Sequence, residues 1–334
     1  MARLTLGKIR ALTTLAAPGG TFHILACDQR GALRRMLAAT GAEPTYERVV
    51  QIKLEIVGAL SSAATGVLLD PEYGAGPAVA GRALAGTCGL VVAVEETGYA
   101  EVAGERVSRL LEGWSVEKVK AMGADAAKLL VYFNPRRPQA AARQEALVAE
   151  VAAACARLDL PLMLECLVYP TDGNAPEEAF LREREDLIVE SARALSRFDI
   201  DLYKVEFPHH PALGGGEREW RRACERLTEA CRVPWALLSA GVDFPTYAAQ
   251  LEAACRSGAS GFVGGRAIWK EAVTMADGPE RRRFIEGEMR ARFARLAEIA
   301  AGHGRPWFRV PSHAYRAEDV APPGWYAQYG PGSV

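Results

Sequence analysis

The chain has 334 residues, of which 49% are hydrophobic and 24% charged, the profile of a soluble globular protein. Forty lysines and arginines against 41 aspartates and glutamates leave it nearly neutral, so no bulk charge recruits nucleic acid or an anionic membrane. The amino terminus lacks the apolar core of a signal peptide, and no run reaches membrane-spanning length. The seven cysteines are scattered, without a disulfide or metal pattern, so we expect a reduced, cytoplasmic enzyme or binding protein.

Short apolar stretches alternate with helical patterns along most of the chain. The predicted strands are residues 22–29, 66–71, 90–95, 126–134, 161–169, 202–207, 235–241 and 261–265. The predicted helices are residues 45–64, a short one from 77, 115–122, 139–158, 177–197, 217–231, 245–257 and a longer set through 301. Ser115 is placed to cap a helix, and Gly123 and Gly258 follow helices where a left-handed residue is favoured.

Eight apolar strands that alternate with helices predict a parallel sheet, and eight is the number that closes into a (β/α)8 barrel. A doubly wound open sheet is the alternative, but no Gly-x-Gly-x-x-Gly follows the first strand. We therefore predict an α/β fold in which residues 1–302 form a single-domain (β/α)8 TIM barrel. Residues 303–334 are an extra C-terminal tail rich in glycine, proline and aromatic residues. We expect this tail to pack on the barrel or on a partner subunit of a homo-oligomer.

The segment Asp-Leu-Tyr-Lys-Val-Glu-Phe-Pro at residues 201–208 reads as a short strand with an unusual face. Because side chains alternate along a strand, Lys204 shares its face with Leu202 and Glu206. One interpretation is an edge strand with a solvated lysine. The other is a lysine held among apolar groups near a second cation, whose charged form is disfavoured and whose amine can form a Schiff base. The context of the other strands favours the second interpretation, so Lys204 is the candidate nucleophile.

In a (β/α)8 barrel the chemistry lies at the carboxyl ends of the strands. The residues predicted there are Asp28-Gln29-Arg30, Asp70, Glu95-Glu96, Lys128, Glu165, Lys204, Ser239 and Gly265-Arg266. Helix caps, surface charges and ion pairs explain each one singly, but explain poorly why two lysines and several carboxylates occupy equivalent ends. We expect four side chains to point into the barrel: Asp28, Lys128, Glu165 and Lys204. The residues two positions earlier would fill the layer beneath them: Ala26, Ala126, Met163 and Leu202.

Small residues follow the last two strands and lead into helices, in Leu-Ser-Ala-Gly-Val from Leu238 and Phe-Val-Gly-Gly-Arg-Ala from Phe262. Backbone N–H groups, the hydroxyl of Ser239 and the guanidinium of Arg266 would hold a phosphate there, at the position that barrels favour. The alternative is that the glycines only form tight turns. We favour the phosphate site.

Taken together and in this order, the segments resemble those of the class I tagatose-1,6-bisphosphate aldolases and the related sulfofructosephosphate aldolases. The resemblance covers about residues 22–273 and rests on Ala26-Cys-Asp-Gln-Arg-Gly-Ala-Leu, Leu68-Leu-Asp-Pro-Glu-Tyr-Gly, Gly123-Ala-Asp-Ala-Ala-Lys-Leu-Leu, Leu164-Glu, Tyr203-Lys-Val-Glu-Phe-Pro, Leu238-Ser-Ala-Gly-Val and Gly264-Gly-Arg-Ala. It implies that Lys204 forms the Schiff base and that Glu165 is the acid/base.

The resemblance also implies a set of substrate contacts. The residues that would line the reacting carbons are Asp28, Gln29 and Lys128. The residues that would hold the phosphate of the dihydroxyacetone-phosphate half are Ser239, Gly241, Gly265 and Arg266. The predicted substrate-binding set is completed by Ala240, Gly264 and Arg30.

The predicted function is a class I aldolase, independent of metal and cofactor, that splits a ketohexose bisphosphate into dihydroxyacetone phosphate and glyceraldehyde 3-phosphate. Cleavage beta to a carbonyl needs an electron sink, which a protonated imine on Lys204 supplies without a metal. Tagatose 1,6-bisphosphate is the foremost substrate, and a sulfosugar phosphate that gives sulfolactaldehyde is the alternative. A different class of protein, a non-catalytic sugar-phosphate sensor, would need the phosphate turns but not Lys204 and Glu165.

A long loop at residues 97–114 follows the third predicted strand and looks like that of the tagatose-bisphosphate branch. It contains Arg106 and Arg109. The loop is either a lid that contributes an anion contact at the far end of the substrate or a solvated loop. Arg30, after the first strand, is a further candidate for that far end.

Overall fold

The computed structural model describes residues 4–102, 104–173, 176–327 and 329–330. Its strands are β1 (Phe22–Cys27), β2 (Gly66–Leu69), β3 (Gly89–Ala93), β4 (Ala100–Val102), β5 (Glu105–Val107), β6 (Ala126–Phe133), β7 (Leu162–Val168), β8 (Leu202–Val205), β9 (Trp235–Leu238) and β10 (Gly261–Gly264). Its α-helices are α1 (Leu6–Thr14), α2 (Gly31–Ala39), α3 (Tyr46–Leu60), α4 (Ala75–Ala80), α5 (Val116–Ala121), α6 (Pro138–Arg157), α7 (Glu177–Leu195), α8 (Glu217–Ala230), α9 (Phe244–Arg256), α10 (Arg266–Thr274), α11 (Pro279–Phe284), α12 (Arg290–His303) and α13 (Ala317–Val320). Short 3₁₀ helices lie at Pro211–Leu213, Trp307–Arg309, Pro311–His313 and Trp325–Ala327, and a π-helical segment at Ile285–Met289 joins α11 to α12.

Eight parallel strands close into a barrel in the order β1-β10-β9-β8-β7-β6-β3-β2. The predicted (β/α)8 fold is therefore confirmed, and the open-sheet alternative is wrong. Every predicted barrel strand is present with slightly shorter bounds. The elements that were not predicted include α1, α2 and the antiparallel hairpin of β4 and β5, which lies outside the barrel in the loop between β3 and α5.

Alternate residues of each barrel strand pack on opposite sides of the sheet. Outward residues such as Tyr203 and Val205 join the large core between the sheet and its helices. Inward residues form a separate inner layer, which includes the four predicted members Ala26, Ala126, Met163 and Leu202. Lys204, two residues after Leu202, continues on the inner face and is only 3% exposed. Because β8 lies between β7 and β9, the edge-strand interpretation is wrong.

Local sequence signals fix the helix ends that follow the strands. The Ser115 hydroxyl accepts a hydrogen bond from the Lys118 N–H at the start of α5, as predicted. Gly123 and Gly258 have φ angles of 84° and 109°, so both adopt the left-handed conformation expected after a helix. These caps hold α5 and α9 against the barrel without strain at the turns.

The amino-terminal end of the barrel is closed by α1 and by the C-terminal tail. Leu12, Leu15 and Trp307 belong to the same inner layer as the strand residues. The Trp307 N–H donates to the carbonyl of Gly20 at 2.9 Å, just before β1. Trp307 thus packs on the end of the barrel opposite the strand carboxyl ends, while the packing of the rest of the tail, on the barrel or on a partner subunit, stays a prediction.

Removing the tail should destabilise the barrel, because Trp307 is 2% exposed inside it. We expect Trp307→Ala to lower the free energy of unfolding by about 3–5 kcal/mol, the usual cost of truncating a buried large aromatic residue. Truncation after Gly302 should in addition expose apolar surface and lower solubility or alter subunit assembly. Tyr326→Ala, at a residue that is 73% exposed, is the matched control. A truncated protein with unchanged melting temperature and size would contradict the prediction.

All seven cysteines are free thiols, and burial raises the pKa of Cys27 and Cys166 to about 12. Among the described helices, none combines the length and the apolar character needed to span a bilayer.

Candidate active site at the carboxyl ends of the barrel strands

Four of the predicted side chains meet inside the barrel. Glu165 Oε2 lies 2.8 Å from Lys204 Nζ and 2.9 Å from Lys128 Nζ. Lys128 Nζ also lies 2.9 Å from Asp28 Oδ2. One carboxylate oxygen of Glu165 therefore joins the two lysines, and the three residues Glu165, Lys204 and Lys128 are at most 6% exposed.

The register of the sheet brings these residues together. Glu165 and Lys204 are direct partners across β7 and β8. Lys128 pairs with Met163 across β6 and β7. Met163 is the inward residue that precedes Glu165 on β7, so Lys128 lies one inward position below Glu165. Since inward residues recur every second position, residues from separate strands form one layer above the apolar inner layer.

A fifth residue of the charged cluster is Glu95. The sequence predicts it at a strand end but does not single it out as a site residue. Its Oε1 lies 2.5 Å from Lys128 Nζ, and its Oε2 accepts a hydrogen bond from the Leu130 N–H at 3.1 Å. The sequence does contain a signal for it. Val91 on β3 lies in the inner layer, and the same alternation, extended two residues past the end of β3 at Ala93, places Glu95 on the same side.

The charges in this cluster stabilise one another. Burial disfavours the ionised form of the Glu165 carboxyl. The ammonium groups of Lys128 and Lys204 outweigh this effect of burial and hold the pKa of Glu165 below its usual value. The same balance of burial against the two lysines lowers the pKa of Asp28. Burial also opposes the charge on Lys128, yet the surrounding carboxylates outweigh it and raise its pKa well above the usual value.

The two lysines differ in their partners. Lys128 contacts three carboxylates, those of Asp28, Glu95 and Glu165. Within the described residues, Lys204 forms an ion pair only with Glu165, whose oxygen it shares with Lys128. Lys128 is therefore suited to remain a fixed cation, whereas Lys204 has next to it a carboxylate that can accept the proton its amine must lose to act as a nucleophile.

A cavity of about 190 Å³ opens beside Lys204 and extends toward the last two strands. The predicted site residues that line it are Gln29, Glu165, Lys204, Ser239, Ala240, Gly265 and Arg266. This volume is below the roughly 300–1,000 Å³ of pockets that enclose a whole ligand. The cavity is therefore suited to one part of a substrate that continues into the open mouth of the barrel.

The turns after β9 and β10 bring Ser239, Gly265 and Arg266 to one end of the cavity. Arg266 is the first residue of α10, and no side chain caps this helix, so its first N–H groups have no side-chain partner. Gly241 has a φ of 82°, and a Cβ there would lie 3.2 Å from Cζ of Arg266. The Ser239 hydroxyl accepts a weak hydrogen bond from the Gly265 N–H at 3.4 Å. The two turns thus pack against each other around the arginine.

Gly264 and Arg30 belong neither to the charged cluster nor to the cavity wall. A Cβ on Gly264 would lie 2.8 Å from Cδ1 of Ile268, so this glycine permits close packing of β10 on α10. Arg30 is 6% exposed and donates hydrogen bonds of 2.6 Å to Glu72 Oε2 and to the carbonyl of Glu95. Its contacts hold the loops after β2 and β3, and its role toward substrate stays a prediction.

Two buried acceptor atoms in the first βα turn have no hydrogen-bond donor among the described residues. They are Oδ1 of Asp28 and Oε1 of Gln29. Buried polar atoms are nearly always hydrogen-bonded in a folded protein, to the protein itself or to water, so these two oxygens are acceptors for a water molecule or a ligand. Substrate hydroxyl groups are donors of the right kind.

The described residues contain no group of three or more His, Cys, Asp or Glu side chains arranged as a metal site. His23 and His313 are buried, and burial lowers the pKa of each to about 4. His209 binds the carbonyl of Gly214 at 2.9 Å in a turn away from the cavity.

The chain is similar to known aldolases. It matches the DeoC/LacD family aldolase over residues 22–271. The tagatose 1,6-diphosphate aldolase of Lactococcus lactis subsp. lactis is 34% identical over 288 residues, which cover 81% of this chain and 87% of the relative. The tagatose 1,6-diphosphate aldolase of Staphylococcus epidermidis is 33% identical over 303 residues, which cover 85% of this chain and 90% of the relative.

Solved structures show the same fold at lower identity. A fructose-bisphosphate aldolase from Plasmodium falciparum superposes with a TM-score of 0.69 at 15% identity, covering 90% of this chain and 95% of the other. An archaeal fructose 1,6-bisphosphate aldolase superposes with a TM-score of 0.58 at 20% identity, covering 88% and 99%. At these identities the likeness supports the barrel architecture alone.

Proposed function

This chain belongs to the DeoC/LacD family of aldolases, and we propose that it is a class I aldolase that cleaves tagatose 1,6-bisphosphate through a Schiff base on Lys204. The products are dihydroxyacetone phosphate and glyceraldehyde 3-phosphate. The observation that carries the proposal is the position of Lys204 Nζ, 2.8 Å from Glu165 Oε2 beside the cavity. A sugar-phosphate sensor has no need of this buried pair.

The proposed reaction uses the chain's own groups. Lys204 transfers its ammonium proton to Glu165, and the neutral amine adds to the C2 carbonyl; loss of water then gives a protonated imine. Glu165 returns its proton to the departing hydroxyl group, which leaves as water. The Glu165 carboxylate then removes the proton of the C4 hydroxyl. The C3–C4 bond breaks, its electrons pass to the imine to give an enamine, and glyceraldehyde 3-phosphate leaves. Glu165 then gives the proton it took from the C4 hydroxyl to C3 of the enamine, and addition of water to the resulting imine releases dihydroxyacetone phosphate and restores Lys204.

The neighbouring charges support this sequence of steps. The fixed cation of Lys128 lies 2.9 Å from Glu165 Oε2 and keeps that carboxyl ionised between proton transfers. The unsatisfied oxygens of Asp28 and Gln29 orient substrate hydroxyl groups. The phosphate on carbon 1 binds at the start of α10, which sets the carbonyl against Lys204.

Arg266 provides the charged contact to this phosphate in our proposal. We expect Arg266→Ala to raise KM for phosphorylated substrates by about tenfold or more, since a hydrogen bond to a charged group contributes about 1.5–3 kcal/mol. Lys270→Ala removes a cation from the same helix farther along and is the control. Steady-state kinetics measure both variants, and an unchanged KM for Arg266→Ala would place the phosphate elsewhere.

The anion on carbon 6 distinguishes the proposed substrate from its closest alternative. Arg30, Arg106 and Arg109 lie in the βα loops on the aldehyde side, and phosphate carries more charge than sulfonate. We therefore expect kcat/KM to be higher for tagatose 1,6-bisphosphate than for sulfofructose 1-phosphate, with fructose 1,6-bisphosphate measured alongside. The assay is repeated with Arg106→Ala and Arg109→Ala. A clear preference for the sulfonate, or a bisphosphate rate indifferent to both substitutions, would reject the assignment.

A further inference from the structure

The hairpin of β4 and β5 lies at the carboxyl ends of the barrel strands, and the carboxylate of Glu105 joins it to two neighbouring segments. Glu105 Oε1 accepts a hydrogen bond from Arg137 Nε at 2.8 Å, and Glu105 Oε2 accepts one from the Tyr169 hydroxyl at 2.9 Å. Arg137 also donates to the carbonyl of Thr171 at 2.6 Å. These four residues form a clasp between the hairpin, the start of α6 and the loop after β7. Ser108, directly after β5, adds a second attachment, since its hydroxyl accepts a hydrogen bond from the Tyr132 N–H at 3.2 Å.

The residue next to the clasp, Arg106, is held differently. Its guanidinium lies over the ring of Tyr99, with Cζ 4.9 Å from the centroid, and over the ring of Tyr169 at 5.5 Å. Among the described residues, no carboxylate forms an ion pair with Arg106, whereas Glu105 is paired with Arg137. A guanidinium stacked on aromatic faces keeps the N–H groups at its edge available for an anion.

The hairpin lies above the reaction centre along two neighbouring strands. Tyr169 and Tyr132 each lie four residues beyond a site residue, Glu165 on β7 and Lys128 on β6, which corresponds to a rise of about 13 Å. The Tyr132 ring packs edge-on against that of Tyr99, with centroids 4.7 Å apart. Tyr99, Tyr132 and Tyr169 therefore form an aromatic group around Arg106 at the carboxyl ends of the two strands that carry Glu165 and Lys128.

The two ends of the site then match the two ends of the proposed substrate. The cavity of about 190 Å³ is suited to the dihydroxyacetone-phosphate half beside Lys204 and Arg266. The remaining half extends into the mouth of the barrel, where Arg106 is half-buried and forms no ion pair with a carboxylate of the described residues. Arg109, three residues later, is exposed, and its carbonyl accepts the Glu96 N–H at 2.9 Å.

We infer that this hairpin is the specificity element for an anionic group on carbon 6 of a ketose 1-phosphate: Arg106 receives the anion, and Glu105 is the positioning residue that keeps Arg106 over the mouth. The inference rests on the proposed function, since it assumes cleavage beside Lys204. Glu105 touches no substrate atom in this arrangement. It acts by fixing the hairpin through Arg137 and Tyr169.

The test compares one sugar with and without the distal anion: tagatose 1,6-bisphosphate and tagatose 1-phosphate. We expect Glu105→Gln and Arg137→Gln each to lower kcat/KM for the bisphosphate by about 10- to 100-fold, the scale of a misplaced binding group. Both variants should leave kcat/KM for the monophosphate nearly unchanged, and Arg106→Ala should show the same selective loss. Glu112→Gln removes an exposed carboxylate from the same loop and should change neither rate.

The outcomes separate the inference from the proposed function. Wild-type protein that cleaves neither sugar would overturn both. Suppose that the wild-type protein cleaves the sugars. If Glu105→Gln then loses kcat/KM equally for both sugars, or loses none for either, the positioning role alone is overturned. A selective loss in Arg137→Gln but not in Glu105→Gln would make Arg137 the anion contact and would likewise overturn it. If Glu105→Gln does not fold, Tyr169→Phe keeps the ring beneath Arg106, removes one bond of the clasp, and should give a smaller loss with the same selectivity.

Discussion

Replacing Lys204 by methionine should abolish aldol cleavage, with kcat falling on the order of 10⁴-fold or more, as expected when a covalent nucleophile is removed. Methionine is a flexible apolar side chain of similar length, so it can fill the space of a residue that is 3% exposed. The buried carboxylate of Glu165 keeps its second partner, Lys128, at 2.9 Å. The loss should therefore come from the missing amine and not from an uncompensated charge.

Lys128→Met identifies which of the two buried lysines is the nucleophile. Lys128 contacts three carboxylates that hold its pKa well above the usual value, so it does not supply a neutral amine. We expect Lys128→Met to lose activity but still to bind dihydroxyacetone phosphate covalently when borohydride is added. Lys204→Met should form no such adduct. An adduct that persists in Lys204→Met and vanishes in Lys128→Met would reverse the assignment.

Glu165→Gln should separate imine formation from carbon–carbon cleavage. The carboxyl of Glu165 has a lowered pKa and is ionised at neutral pH, so it can accept a proton, which an amide cannot do. We expect the variant still to form a reducible imine with dihydroxyacetone phosphate, while cleavage falls by about a hundredfold or more, the scale for loss of a general acid–base group. Single-turnover cleavage and borohydride trapping on the same preparation measure the two steps.

Glu95→Gln is the informative comparison for Glu165→Gln. Glu95 contacts Lys128 at 2.5 Å and the Leu130 N–H, but no contact joins it to Lys204. Its loss should weaken catalysis less than the loss of Glu165. Cleavage near the wild-type rate in Glu165→Gln would move the acid/base role to another group.

The inward-facing part of the site could be predicted because a strand imposes strict alternation. Once residues 202–207 and 161–169 are interpreted as barrel strands, Lys204 and Glu165 must lie on the same face as Leu202 and Met163, which form the inner layer. Alternation gives the face of the strand but not the level along the barrel. The structure supplies the level, because Glu165 pairs directly with Lys204 across β7 and β8.

The parts that were not predicted lie beyond the strand ends, where alternation no longer applies. Arg30 directs its guanidinium to Glu72 and to a carbonyl after β3, and these loops have no periodic pattern to reveal it. Asp70 also ends a strand but binds Lys53 on α3, because the chain turns directly after Leu69. The hairpin consists of two three-residue strands around a turn that includes Gly104, too short for a period-two pattern to stand out.

The clasp of Glu105 illustrates the same limit. Glu105, Arg137 and Tyr169 are separated by more than thirty residues from one to the next, and each follows or lies in a loop. The sequence indicates that arginines are present in the long loop after β3. Only the fold shows that Glu105 is paired, that Arg106 is stacked on aromatic rings, and that Arg109 is exposed.

Schiff-base formation on Lys204 is tested by incubating the wild-type protein with dihydroxyacetone phosphate, reducing it with borohydride and locating the added mass by peptide mass spectrometry. We expect one adduct per chain at Lys204, equal in mass to dihydroxyacetone phosphate less one oxygen atom, and cleavage activity that survives treatment with EDTA. No adduct, an adduct on another lysine, or activity that is lost with EDTA and restored by zinc would contradict the proposed mechanism.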